Sequence, residues 1–111
     1  MPRDSKIYLE DILQAIDKIR RYTHGYTIDA LRRDEKTLDA VVRNLEIIGE
    51  AVKQLPDEIR QRHGDVEWKR IAGLRDILIH AYFGIDVEIV WDVVQNKLPI
   101  LSQRVEAILS E

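Results

Sequence analysis

The sequence predicts an all-α fold, an up-and-down helical bundle of about five helices, and three observations carry that prediction. Apolar residues recur at helical spacing along nearly the whole chain, and no alternating apolar stretch is long enough to be a confident strand. Only five Gly and three Pro occur in 111 residues, and most of them fall between the periodic segments. Hydrophobic residues make up 45% and charged residues 33%, a balance that favours one folded core over a disordered chain. At this length one domain covering residues 1–111 is expected.

The first helix is expected to begin after Asp4 or Ser5, with Tyr8, Ile12, Ala15, Ile16 and Ile19 on one stripe, and to end near Thr23-His24-Gly25. Thr27 can cap a short helix through Leu31. A long helix follows from about Glu35 to Leu55, burying Val41, Leu45, Ile48, Val52 and Leu55 before Pro56 stops it. Proline is tolerated in a first turn, so Pro56-Asp57-Glu58 reads as the start of a short helix closing at His63-Gly64. A fourth main helix is expected from about Glu67 to Phe83, stopped by a left-handed Gly84. Asp86 then caps Val87 to about Asn96, and Pro99 opens a last helix carrying Leu101, Val105, Ile108 and Leu109.

Several function classes fall away on composition. Without cysteine there is no disulfide framework, thiolate metal site or Cys nucleophile. The three histidines show no zinc-type spacing, so neither a metal nor a cofactor is expected. No apolar run is long enough to span a bilayer and the first residues do not resemble a signal peptide, which points to the cytoplasm and to no membrane partner. The formal charge of −3 argues against a general basic coat for nucleic acid. Arg60, Arg62, Lys69, Arg70 and Arg75 nonetheless cluster against Asp65 and Glu67, either as solvated helix faces or as a local phosphate-attracting patch. No helix shows a basic recognition face with closely spaced Asn, Gln or Arg readers, which counts against a helix-turn-helix reader of DNA.

The expected fourth helix is the specific feature. Wound at about 100° per residue, it gathers Ile71, Leu74, Ile77, Leu78 and Ala81 on a core-facing stripe. The opposite flank holds Arg75, Ile79, Phe83, Asp76 and His80, a mixture that leaves two apolar residues facing out beside an arginine and a histidine. Either another helix of the bundle covers that flank or a second copy of the chain does. An isologous contact would bring two Arg75 and two His80 side chains into one groove. On one ideal helix Arg75 and His80 lie about 140° and about 7.5 Å apart, so they can flank a phosphate between helices but cannot pair closely within one. Asp76, four residues before His80, is placed to orient its imidazole.

The string Arg75-Asp76-Ile77-Leu78-Ile79-His80-Ala81-Tyr82 resembles the R-x4-H-x-Y motif of the HepT-like toxins, a branch of the HEPN superfamily. Four further blocks are similar to that family in the same order: Tyr8 to Ile12, Ala40 to Ala51, Trp68 to Gly73, and Ile89 to Trp91. The resemblance implies a HEPN-type bundle, a homodimer and a metal-independent endoribonuclease. It also implies a cognate nucleotidyltransferase antitoxin that transfers AMP to the motif tyrosine, here Tyr82. Two positions depart from the commonest form: Asp76 stands where asparagine is frequent, and Ala81 where an acidic residue is usual.

Metal-free RNA cleavage needs a base for the 2′-hydroxyl, an acid for the 5′-oxygen and positive charge on the phosphorane oxygens. Histidine and arginine are the residue types that supply these. Arg75 and His80 are therefore the candidate catalytic residues, with Asp76 and Tyr82 supporting them. Arg43, Glu46, Glu50 and Lys53 share the outer side of the long helix; they read as surface ion pairs, while the resemblance makes Arg43 and Glu50 candidate supports of the cleft. His63 is expected to cap a helix end, His24 to lie in a loop, and Trp68 and Trp91 to be core aromatics. The alternative function is a non-catalytic helical subunit that binds nucleotide or partner for a nucleotidyltransferase. The RNA target, tRNA or mRNA, stays open, because contacts to phosphate carry no base information.

Overall fold

The computed structural model describes residues 4–74, 76, 79–80 and 84–111, with residues 79 and 80 described through their backbone alone. It is an all-α bundle in which most elements begin where the sequence places a cap. In α1 (Ser5–Tyr22) the Asp4 carboxylate accepts from the Lys6 N–H at 3.0 Å, satisfying a donor that the first turn cannot. Leu9, Ile12, Ala15, Ile16 and Ile19 are its buried edge, and the Thr23 hydroxyl donates to the Ile19 carbonyl at 2.8 Å to close it. Tyr8, expected on that edge, is only half-buried.

Thr27 caps α2 (Ile28–Arg33), its hydroxyl accepting from the Ala30 N–H at 3.1 Å. Asp34 caps α3 (Glu35–Lys53) by accepting from the Thr37 N–H at 3.0 Å. Helix α3 is the centre of the molecule and lies along α1 over most of its length. Its buried residues include Val41, Leu45, Ile48 and Val52, and Leu55 just beyond its end is also buried. Asn44, the buried amide of this helix, donates to the Ala40 carbonyl at 2.9 Å, which removes the cost of placing it there. Pro56 precedes the short α4 (Asp57–Arg62), as expected.

The expected long helix from Glu67 to Phe83 is corrected. Helix α5 (Trp68–Ala72) closes at Gly73, whose N–H donates to the Lys69 and Ile71 carbonyls. Leu74 and Asp76 are helical again, but β1 (Ile79–His80) is extended and pairs antiparallel with β2 (Gly84–Ile85). Two local features favour the change. Gly73 permits a stop, and β-branched Ile77 and Ile79 alternate in a way that suits a strand as well as a helix. Gly84 does have the expected left-handed conformation, with φ of 76°, yet it sits in a strand rather than behind a helix.

A second correction concerns the C-terminal pair of helices. Asp86 caps α6 (Val87–Asp92) through the Ile89 N–H at 3.2 Å, but no break separates it from α7 (Leu98–Leu109). A π-helical turn over Val93–Lys97 joins them, and the Leu98 N–H donates five residues back to the Val93 carbonyl. Pro99 follows at once in the first turn of α7. The widened turn loosens the ladder at the point where a proline ring would crowd the preceding turn and where one N–H is missing.

The core thus comprises α1, α3 and the continuous run from α6 to α7, with α5 against α3, and α2 against α3 and α6. Trp68 is buried and Trp91 half-buried against this core, as expected. Gly49 fixes the α3–α5 approach. A methyl group there would lie 3.1 Å from the Ile71 carbonyl oxygen, tighter than ordinary packing, and 3.4 Å from that of Ala72.

Candidate functional site

The chain reaches the R-x4-H-x-Y segment from α5. Leu74, 7% exposed, anchors its start in the core, and the Asp76 N–H donates to the Gly73 carbonyl at 3.1 Å while its side chain is exposed. His80 is held by backbone pairing opposite Gly84. Arg75, Ile77, Leu78, Ala81, Tyr82 and Phe83 lie outside the described residues, as do the side chains of Ile79 and His80. Because β1 is extended, the helical spacing expected to bring Asp76 beside the His80 imidazole, and to set Arg75 and His80 on one continuous flank, does not extend through residue 80.

Beside α5 lies a polar groove of about 460 Å3. Tyr8 and Asp11 of α1 line one side, Arg43, Glu46, Glu50 and Lys53 of α3 the other, and Ala72 its edge. The structure therefore brings the two expected supporting residues, Arg43 and Glu50, into one concavity whose edge residue precedes Arg75 by three positions. Sequence reading missed Tyr8 and Asp11 as lining residues. An aromatic ring at the polar border of an apolar stripe was the available signal for Tyr8, since a tyrosine with one apolar face and a polar tip suits a half-buried wall.

Ion pairing sorts the charges around the molecule. The basic stretch after Arg60 is largely compensated: Arg60 pairs with Asp57, Arg62 with Glu58 at 3.5 Å and Glu111 at 3.1 Å, and Arg70 with Glu67 at 2.8 Å. Among the described residues, the pairs of Arg60, Arg62 and Arg70 fit solvated helix faces, while Lys69 makes no ion pair and Arg75 lies outside them. In the groove, Lys53 Nζ lies 3.3 Å from Glu50 Oε1, one of the ion pairs expected on α3. Arg43 and Glu46 make no ion pair among the described residues. His63 stands at the C-terminus of α4, as expected, and its Nε2 lies 3.2 Å from Glu111 Oε2. The Tyr26 hydroxyl donates to Asp34 at 2.6 Å and the Thr37 hydroxyl at 2.7 Å, which holds the Asp34 carboxyl below its ordinary range.

A second concavity, an apolar cleft of about 350 Å3, opens between α5 and the run from α6 to α7, with Ile71, Leu74, Ile89, Ile100 and Leu101 on its walls. Arg104 at its rim pairs with Asp65 at 2.6 Å. Among the described residues no cluster of three His, Asp or Glu side chains could hold a metal ion, and no helix is long and apolar enough to cross a membrane.

An all-α bundle built on a long central helix, in a chain that carries Arg, His and Tyr just after a short helix in its sequence, is consistent with a HEPN-type domain. Residues 12–108 match the family described as Ribonuclease HepT-like. The chain belongs to the HepT-like ribonuclease family. It is 46% identical over its whole length to Putative RNase MJ0127 of Methanocaldococcus jannaschii, covering 93% of that protein. It is 43% identical to Probable ribonuclease HepT of Thermococcus cleftensis, over 97% of this chain and 98% of the relative. It also matches Gamma-glutamylcyclotransferase and putative RNase MJ0434 of Methanocaldococcus jannaschii at 43% identity, and there it spans half of the longer protein. No solved structure matches the chain.

Proposed function

We propose that this protein is a toxin of a toxin–antitoxin pair, an endoribonuclease that cleaves RNA without a metal ion and uses Arg75 and His80. The observation that supports this best is the R-x4-H-x-Y string at residues 75–82, set in a chain that matches a ribonuclease family from residue 12 to residue 108. In this reading a His80 imidazole takes the proton of the 2′-hydroxyl as its oxygen attacks phosphorus. The bond from phosphorus to the 5′-oxygen then breaks, and a second imidazole returns a proton to the leaving oxygen. The Arg75 guanidinium grips the phosphorane oxygens in a forked contact. A second copy of the chain, meeting the first at the motif segment, supplies the second imidazole.

Regulation belongs to the same reading. A cognate nucleotidyltransferase antitoxin would transfer AMP from a nucleoside triphosphate to the Tyr82 hydroxyl and release pyrophosphate. The bound AMP adds bulk and a phosphodiester charge beside Arg75, repelling RNA.

The test is cleavage of RNA by the purified chain in the presence of a chelator. His80→Ala and Arg75→Ala should keep the wild-type circular dichroism spectrum and lose a factor of about 10² to 10⁴ in rate. Full activity in either variant, or cleavage abolished by the chelator, would refute the mechanism. Absence of cleavage by the wild-type chain would favour the non-catalytic binding subunit. Intact mass after co-expression with the antitoxin reads the Tyr82 modification directly, and Tyr82→Phe should show no added mass.

A further inference from the structure

We infer that the groove between α1 and α3 is a nucleotide subsite selective for guanine, in which Arg43 takes the phosphate and Glu46 reads the base. The starting point is a pair of charges that do not meet. Along the helices, several acids placed three residues before a base form ion pairs: Asp29 with Arg32 at 3.3 Å, Glu50 with Lys53 at 3.3 Å, Asp57 with Arg60, and Glu67 with Arg70 at 2.8 Å. Some placed four before also do so, as Asp17 with Arg21 at 3.1 Å and Glu58 with Arg62 at 3.5 Å. Arg43 has the same opportunity with Asp39, four residues before it, and again with Glu46 three residues after it, but it pairs with neither.

Arg43 and Glu46 therefore line the groove with no ion pair among the described residues, one turn apart on the same helix face. The reversed order, base before acid, is the weaker one on a helix and helps keep them separate. Glu46 is half-buried, so its carboxylate has lost part of its hydration without gaining an ion-pair partner among the described residues. The neighbouring Lys53 and Glu50 neutralise each other and Asp11 has an interaction of its own, so Arg43 and Glu46 are the groove charges without an ion pair among the described residues.

A free guanidinium and a free carboxylate about one helical turn apart select a ligand with an anionic end and a neighbouring pair of N–H donors. A nucleotide has that polarity, and among the four bases guanine alone presents two adjacent N–H donors on its Watson–Crick edge, matching both oxygens of one carboxylate. The guanidinium fits phosphate by the same two-point geometry. A groove of about 460 Å3 is within the size range of small-molecule sites. That the nucleotide belongs to an RNA substrate rests on the ribonuclease reading; that the groove prefers guanine does not.

The experiment is an NMR titration of the full chain with GMP and with AMP, followed by cleavage of oligoribonucleotides that vary one base at a time. GMP should bind about 10-fold more tightly than AMP. Glu46→Gln, which replaces one acceptor by a donor, should abolish that preference. Arg43→Ala should weaken both nucleotides equally, and the surface control Asp39→Asn should change neither. Equal binding of GMP and AMP by the wild type, or a preference that survives Glu46→Gln, overturns the assignment. A GMP preference in a chain that cleaves no RNA would uphold the subsite and remove the ribonuclease reading; cleavage without a GMP preference would do the reverse.

Discussion

Asp34 shows how one residue can serve two elements. It caps α3 through its Oδ1 and accepts the Tyr26 and Thr37 hydroxyls on its Oδ2, so the loop after α1 is tied to the start of the central helix. These donors favour the ionised carboxylate, and the pKa in the folded chain falls below the value in the unfolded one. A depressed carboxylate contributes stability that is complete above its unfolded pKa of about 3.9 and is lost as pH falls through the folded value. Asp34→Asn is accordingly expected to melt below the wild type at pH 7, and the gap should narrow below about pH 4 in thermal unfolding followed by circular dichroism. A constant gap across that window would show that the carboxylate charge contributes nothing. The candidate catalytic residues were legible in the string from Arg75 to Tyr82 because their chemistry resides in residue type and spacing. The groove partners of Arg43 were not, since Tyr8 and Asp11 are distant in sequence and meet it only through the packing of α1 on α3.

At the scale of elements, caps and stops were the most readable features. Asp4, Thr27 and Asp86 all accept the backbone N–H bonds that their residue types predict. Wheel arguments were weaker wherever a segment could serve two periods. From Leu74 to Phe83 apolar residues satisfy a helical stripe, yet Ile79 and His80 of that span are extended and pair with Gly84–Ile85. The joint between α3 and α5 can be tested through Gly49. Gly49→Ala would raise helix propensity but drive a methyl group toward the Ile71 carbonyl oxygen, and the steric cost should prevail by about 1–3 kcal/mol in urea denaturation. A more stable variant would mean that α5 moves away freely. Gly84→Ala should also lower stability, by about 1–2 kcal/mol, because its φ of 76° is costly for any residue with a Cβ.

For the whole molecule, the decisive question is whether the catalytic groups come from two copies. If the cleaving site lies across a two-fold contact and needs both His80 imidazoles, a dimer of one wild-type and one His80→Ala copy is as impaired as the His80→Ala homodimer. Mixing equal amounts of the two chains after unfolding and refolding should then give about a quarter of the rate of the same total of wild type, and light scattering should give about twice 13.0 kDa. About half of that rate, with dimers present, would place a complete site in each protomer.

The sequence by itself determined the all-α class, the core residues of α1 and α3, the caps and the motif that marks the family, because each rests on local periodicity or on residue types in a short string. Only the tertiary structure decided that Ile79 and His80 are extended, that a π turn fuses α6 to α7, and that Arg43 and Glu46 share a groove without an ion pair among the described residues. The physical reason is that these depend on competition between near-equal local states and on contacts across helices. Neither is written in the spacing of neighbouring residues.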